Sequence, residues 1–314
     1  MANAADLENE LLARTTVENP GRRITRVDGS RWGRLFLPAP EEAARRPEQG
    51  LKVLCIGSWT LGLLTFESLL SVEASRLGGI NLVGLVTDDP LDIDAKISIK
   101  KRFWHYYAEP EREAYEWGIL HRALSQGIPC YTGEVKSNAF RELLSKWHPE
   151  VVVVAAFGQI IDEAMINFPD YGIYNVHPSD LLHGHGAGPQ PWEDLVERKA
   201  FCTRVTLHKV SPTIDDGDIV GQSPEINVRL PDGSVSNDVR MIGEKTLVPV
   251  GPMVRELALA LVARKAAGLK GPLDVLDFER LFDPAFKARL MEPLATTKRR
   301  QILPFPKGEE QYTV

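Results

Sequence analysis

Three cysteines in 314 residues, Cys55, Cys130 and Cys202, lie far apart and make no metal-binding spacing. So sparse and odd a set excludes a disulfide framework and fits a reducing, cytoplasmic setting, with the thiols as buried spectators. Net positive charge is also missing: the formal balance is −6. That removes any general attraction to nucleic acid or acidic membranes and argues against a nucleic-acid partner. Residues 1–14 carry no basic region ahead of an apolar one, so no secretory signal is expected. The longest apolar run, residues 257–263, is too short to cross a bilayer. Internal repeats and low-complexity tracts are absent. What remains is an ordinary globular composition, 43% hydrophobic and 25% charged, enough for a sizeable core.

Residues 1–50 form a charged N-terminal extension, with a helix expected over 6–14, a short strand within 34–40 and a proline-rich linker to residue 50. The first core strand is Leu51-Lys52-Val53-Leu54-Cys55-Ile56-Gly57. A helix follows, with Ser58 as its cap and Leu61, Leu64, Phe66, Leu69 and Leu70 at helical spacing. Residues 80–87 make a second strand, 88–98 a loop, 110–126 a helix, 127–131 a short strand and 138–146 a helix. Val151-Val152-Val153-Val154-Ala155-Ala156 is the most hydrophobic strand. Strands that are apolar on both faces belong in a buried parallel sheet. Their alternation with helices predicts an α/β fold, a doubly wound, mostly parallel, Rossmann-like sheet. Residues 201–210 and 218–228 add two strands, so that the α/β domain runs over residues 51–230. Residues 231–314 form a mainly helical and irregular C-terminal region. Its helix over 252–267 carries an apolar face for the sheet or for a homodimer contact.

Chemistry concentrates between residues 174 and 219. Asn175 and His177 alternate in an extended segment and so face the same side. Pro178 disfavours helix at His177. Asp215-Asp216-Gly217-Asp218 is an acidic turn. Each alone has a bland reading, a satisfied strand end and a solvated loop. Together they supply an oxyanion donor, a proton carrier and an orienting carboxylate, the equipment of acyl transfer. The turn Phe157-Gly158-Gln159 follows the central strand, at the sheet end where ligands bind. His177, His183, His185 and His208 raise a histidine metal site as an alternative, weakened by the lack of a nearby cysteine. In Gly57-Ser58-Trp59-Thr60-Leu61-Gly62, Trp59 stands where a dinucleotide-binding turn needs glycine, which argues against such a cofactor. Lys101, Trp104, Tyr106 and Tyr107 lie in a basic-then-aromatic run able to hold phosphate and stack on a base.

Four motifs in order, Ala155-Ala156-Phe157-Gly158-Gln159-Ile160-Ile161, Asn175-Val176-His177-Pro178-Ser179, Val205-Thr206-Leu207-His208 and Asp215-Asp216-Gly217-Asp218-Ile219, resemble the formyl-tetrahydrofolate-dependent formyltransferases. The chain departs from that pattern at His183, where the family has proline, and at the additional Asp180. The resemblance implies catalysis by Asn175, His177 and Asp215, with formyl-tetrahydrofolate as donor, held by Phe157, Gly158, Gln159, Ile160 and Ile161, and no metal. Trp59, Lys101, Trp104, Tyr106 and Tyr107 become candidate acceptor contacts. The tRNA enzymes of the family end in a β-barrel, which residues 231–314 do not resemble. The glycinamide ribonucleotide enzymes keep a glycine-rich phosphate turn, which Trp59 interrupts. An amino sugar carried on a nucleotide is therefore the expected acceptor of a cytoplasmic, homodimeric sugar N-formyltransferase. Hydroxyornithine, glycinamide ribonucleotide and methionyl-tRNA are the alternatives, and a non-catalytic folate- or nucleotide-binding regulator is the alternative of another class.

Overall fold

The computed structural model describes residues 15–19, 24–30, 33–75, 79–89 and 109–294. The expected helix over 6–14 lies outside them. Twelve strands are present among the described residues: β1 Thr15–Asn19, β2 Ile24–Ser30, β3 Gly33–Leu37, β4 Leu51–Gly57, β5 Ile80–Val86, β6 Cys130–Thr132, β7 Val151–Ala155, β8 Ile173–His177, β9 Cys202–Thr203, β10 Thr206–Lys209, β11 Ile219–Gln222 and β12 Ile226–Asn227. Ten of them make one sheet in the order β1-β2-β3-β6-β5-β4-β7-β8-β10-β11, and β9 pairs with β12 separately.

The doubly wound parallel centre is as the sequence predicts. Strands β6, β5, β4, β7 and β8 run parallel. All five residues of β7 are buried, because helices cover both faces. From β4 the chain winds outward to β5 and β6, then returns to β7 and β8. The switch point therefore lies at the carboxyl ends of β4 and β7, where the Ser58 amide donates to the Ala155 carbonyl at 3.2 Å.

The edges differ from expectation. The N-terminal extension is built into the sheet: β3 pairs antiparallel with β6, and β2 and β1 follow outward. The expected linker is anchored. Arg46 donates to both carboxylate oxygens of Glu73 at 2.5 Å and to the Leu82 carbonyl at 2.7 Å. At the opposite edge, each predicted strand of 201–228 is broken in two. Ser223 Oγ accepts from the Val205 amide at 2.9 Å, which ends the main ladder and sends β9 and β12 into their own pair.

The predicted C-terminal helix is Val250–Ala266. Its buried residues, Met253, Val254, Leu257 and Leu261 among them, join the core shared with the sheet, and its main packing partner is the helix Trp59–Glu73. The helical run 239–266 is long and apolar enough to span a bilayer by composition, yet half of its most apolar window is buried within the fold. Gly57 and Gly62 explain their spacing by packing. A Cβ on Gly62 would lie 2.5 Å from the Gly57 carbonyl carbon, so strand end and helix start touch backbone to backbone.

Candidate active site

Alternation along β8 places Asn175 and His177 on one face, and the neighbouring strand supplies a third group. In the antiparallel pairing of β8 with β10, His208 stands opposite Asn175. Its Nδ1–H donates to the Lys209 carbonyl at 2.8 Å, which leaves Nε2 to accept from Asn175 Nδ2 at 3.1 Å. His208 is 2% exposed. The sequence marks it as part of a motif and as a member of the alternative histidine metal site. Its pairing with Asn175 needs the register of two strands distant in the chain.

Asp215 arrives on the turn before β11 in a left-handed conformation, φ 53°, which aspartate tolerates better than most side chains. Gly217 is required there because a Cβ would fall 1.8 Å from the Lys209 carbonyl oxygen. The turn is thereby pressed onto β10. Asp215 Oδ1 accepts from Asn175 Nδ2 at 3.3 Å, and Oδ2 accepts from the Gly188 amide at 2.7 Å. Nδ1 of His177 lies 3.6 Å from Asp215 Oδ2, and Nε2 of His208 lies 3.5 Å from Oδ1. Asn175, His177 and Asp215 are thus brought together, with His208 behind them.

Burial and charge oppose each other here. Burial favours neutral His177 and outweighs the attraction of Asp215 and the Gly186 carbonyl, so its pKa lies below the ordinary value. The Asp215 charge taken by itself would raise it, and burial prevails. Burial would raise the Asp215 pKa, but the neighbouring His208 and His177 imidazoles and the Gly188 amide together hold it below the usual carboxylate value. His177 Nε2–H donates to the Gly186 carbonyl at 2.8 Å. The unprotonated Nδ1 therefore faces an ionised carboxylate, a position that attracts a proton.

These groups line one wall of an open pocket of about 180 Å³. Phe157, Gly158, Gln159, Ile160 and Ile161 all line it as well. Ile160 and Ile214 are exposed at the pocket, 54% and 61%. The lining thus combines apolar side chains with the polar groups of Asn175, His177, His208 and Asp215.

Other expected contacts are placed elsewhere. Trp59 is 4% exposed and packs against the Trp192 ring at 5.0 Å. It starts its helix at φ 60°, which turns the indole inward, and it is not among the pocket-lining residues. Ser58 is the cap residue without a side-chain cap bond; Asp89 Oδ2 accepts the Trp59 amide at 2.6 Å instead. Lys101, Trp104, Tyr106 and Tyr107 lie outside the described residues. His183 is paired with Asp180 at 2.8 Å. Among the described residues, no three histidine, cysteine or acidic side chains gather at metal-binding distance.

Residues 111–250, which contain Asn175, His177 and Asp215, match the family model described as formyl transferase. The particular relatives are of two kinds. Over 108 residues the chain is 39% identical to the methionyl-tRNA formyltransferase of Syntrophus aciditrophicus, covering 33% of this chain and 34% of that protein. Over 209 residues it is 29% identical to the methionyl-tRNA formyltransferase of Chloroflexus aurantiacus, covering 64% and 58%. The chain therefore matches less than two thirds of these relatives' lengths. The fold matches glycinamide ribonucleotide transformylase 1 of Symbiobacterium toebii with a TM-score of 0.52 at 18% identity, over 74% of this chain and 96% of that one. It matches phosphoribosylglycinamide formyltransferase of Anaplasma phagocytophilum with a TM-score of 0.51 at 18% identity, over 70% and 88%.

Proposed function

We propose that this protein transfers a formyl group from formyl-tetrahydrofolate to a primary amine, and that the amine belongs to an amino sugar carried on a nucleotide. One observation carries the transfer reading: Asn175, His177 and Asp215 converge on the wall of a pocket also lined by residues 157–161. Bound there, formyl-tetrahydrofolate would supply the activated formyl carbon.

The chain's own groups have distinct tasks in this reading. Asn175 offers a hydrogen to the developing oxyanion by releasing the longer of its two contacts, the one to Asp215 at 3.3 Å. A donor of this kind contributes about 3 kcal/mol, roughly a hundredfold in rate. Neutral His177 accepts the amine proton on Nδ1. The Asp215 carboxylate stabilises the resulting imidazolium, and the charge-assisted contact tightens as it forms. His208 holds the Asn175 amide in place.

The acceptor class rests on the acidic chain and on the first strand-to-helix turn. That helix start is served by the Asp89 carboxylate, so the Trp59 amide is not a seat for the phosphate of a glycinamide ribonucleotide, and the phosphates of a nucleotide sugar would have to be held away from this turn. A second reading is favoured by the names of the curated relatives: the amine of an aminoacyl-tRNA. A thermal-shift panel at fixed protein concentration separates the two. Ligand at about a hundred times its Kd stabilises by ~2.7 kcal/mol. A shift with folate and with one nucleotide sugar supports the reading. Formylation of methionyl-tRNA, without response to any nucleotide sugar, replaces it, and no response to folate overturns the transfer chemistry. A cytoplasmic homodimer is part of the same proposal, and light scattering at micromolar protein tests the dimer.

A further inference from the structure

Behind the pocket-lining turn lies a carboxylate that the chemistry above does not use. Asp88 follows β5 in a stretch that reads in sequence as the start of a solvated loop. It is 2% exposed. Its Oδ2 accepts from the Gly158 amide at 2.7 Å, and its Oδ1 accepts from Gln159 Nε2 at 2.8 Å. Its own amide donates to Ser58 Oγ at 2.9 Å. The ends of β4, β5 and β7 are thus tied together at the switch point of the sheet.

We propose that Asp88 is a positioning residue: by holding the Gly158 amide and the Gln159 side chain together, it fixes the turn 156–161 in the form that receives the formyl donor. The turn needs such a clamp. Ala156, at φ 50°, has a left-handed backbone that residues other than glycine rarely adopt. The sequence around it does not favour the geometry locally.

The chemistry also specifies a carboxylate. Both partners are donors, one backbone and one side chain. Gln159 cannot turn its amide over to suit a different neighbour. Its Oε1 accepts from the Val135 amide at 3.1 Å, and its Nε2 also donates to the Gly133 carbonyl at 2.9 Å. An asparagine at 88 has one acceptor oxygen, so it would satisfy one donor and press its own NH2 against the other.

This inference deepens the proposed function and rests on it for the identity of the ligand; the clamp itself is testable without ligand. Hydrogen exchange of Asp88→Asn against wild type is the first measurement. Exchange at Gly158 should rise at least about tenfold, since a lost bond to a charged group exceeds 1.4 kcal/mol, while β4 and β7 remain protected. Unchanged exchange at Gly158 both in Asp88→Asn and in Asp88→Ala, which removes both acceptor oxygens, would overturn the clamp. The second measurement is steady-state formyl transfer. The KM for formyl-tetrahydrofolate should rise roughly tenfold with kcat nearly preserved, and an equal fall in kcat at unchanged KM would overturn the positioning role. If wild type neither binds nor uses the folate, the functional reading fails, while exchange at Gly158 still decides the clamp. Should Asp88→Asn fail to fold, Gln159→Met removes the side-chain half of the clamp, and the same two readouts apply with smaller effects expected.

Discussion

Nδ1 of His177 stands 3.6 Å from Oδ2 of Asp215, with both side chains about one-tenth exposed. The distance is too long for a hydrogen bond and short enough for strong attraction once a proton arrives. The site is thus a proton trap whose resting state is neutral imidazole beside carboxylate, and much of its behaviour should follow from that.

Replacing either member should stop catalysis without emptying the pocket. His177→Asn and Asp215→Asn are each expected to lower kcat by about a hundredfold or more, with the Kd for a folate analogue nearly unchanged. Single-turnover rates and calorimetric binding on the same preparations would decide this. Near-normal turnover in both variants would remove the mechanism.

Acid stability should carry the signature of His177. Its folded pKa is lowered, so the unfolded chain takes up the proton first. The stability of the neutral form is whole above 6.5 and is lost as pH falls from 6.5 toward the folded value. Asp215 acts lower. Its contribution is present above 3.8 and lost as pH falls below that toward its own folded value. Denaturant midpoints taken from neutral pH down to about pH 5 should therefore fall more for wild type than for His177→Gln. Parallel curves would contradict the buried, neutral assignment.

His208 should matter through Asn175. His208→Ala leaves the Asn175 amide without its 3.1 Å acceptor, an effect of about 1–3 kcal/mol. Turnover is expected to drop roughly ten- to hundredfold on the same principle. His208→Gln, which can present an acceptor, should recover part of it. Equal activity of wild type and the alanine variant would show that β8 alone orients Asn175.

The turn carrying Asp215 depends on Gly217. Gly217→Ala must move the chain, because the added Cβ would lie 1.8 Å from the Lys209 carbonyl oxygen. A loss of about 2 kcal/mol in urea unfolding is expected, together with reduced turnover as Asp215 shifts. An unaltered midpoint would mean that the turn is not held against β10.

The sequence by itself determined the centre of the fold and the types of residue in the site. Buried parallel strands such as β7 are legible because every side chain must be apolar when both faces are covered. Asn175 and His177 declare a common face because the period of a strand is two. Several features were left to the tertiary structure. The extension before residue 51 joins the sheet because β6 offers β3 an unpaired edge, and pairing of edges is not written in a short, charged segment. Trp59 turns into the core at a left-handed helix start, so its chemistry as an aromatic said nothing of its place. Asp88 and Asp89 resemble any acidic loop until burial gives each an amide to hold. Asp215 meets His177 across 38 residues only because Gly217 lets its turn close on β10. Local periodicity records which face a side chain shares, while distances between segments far apart in the chain are set by packing.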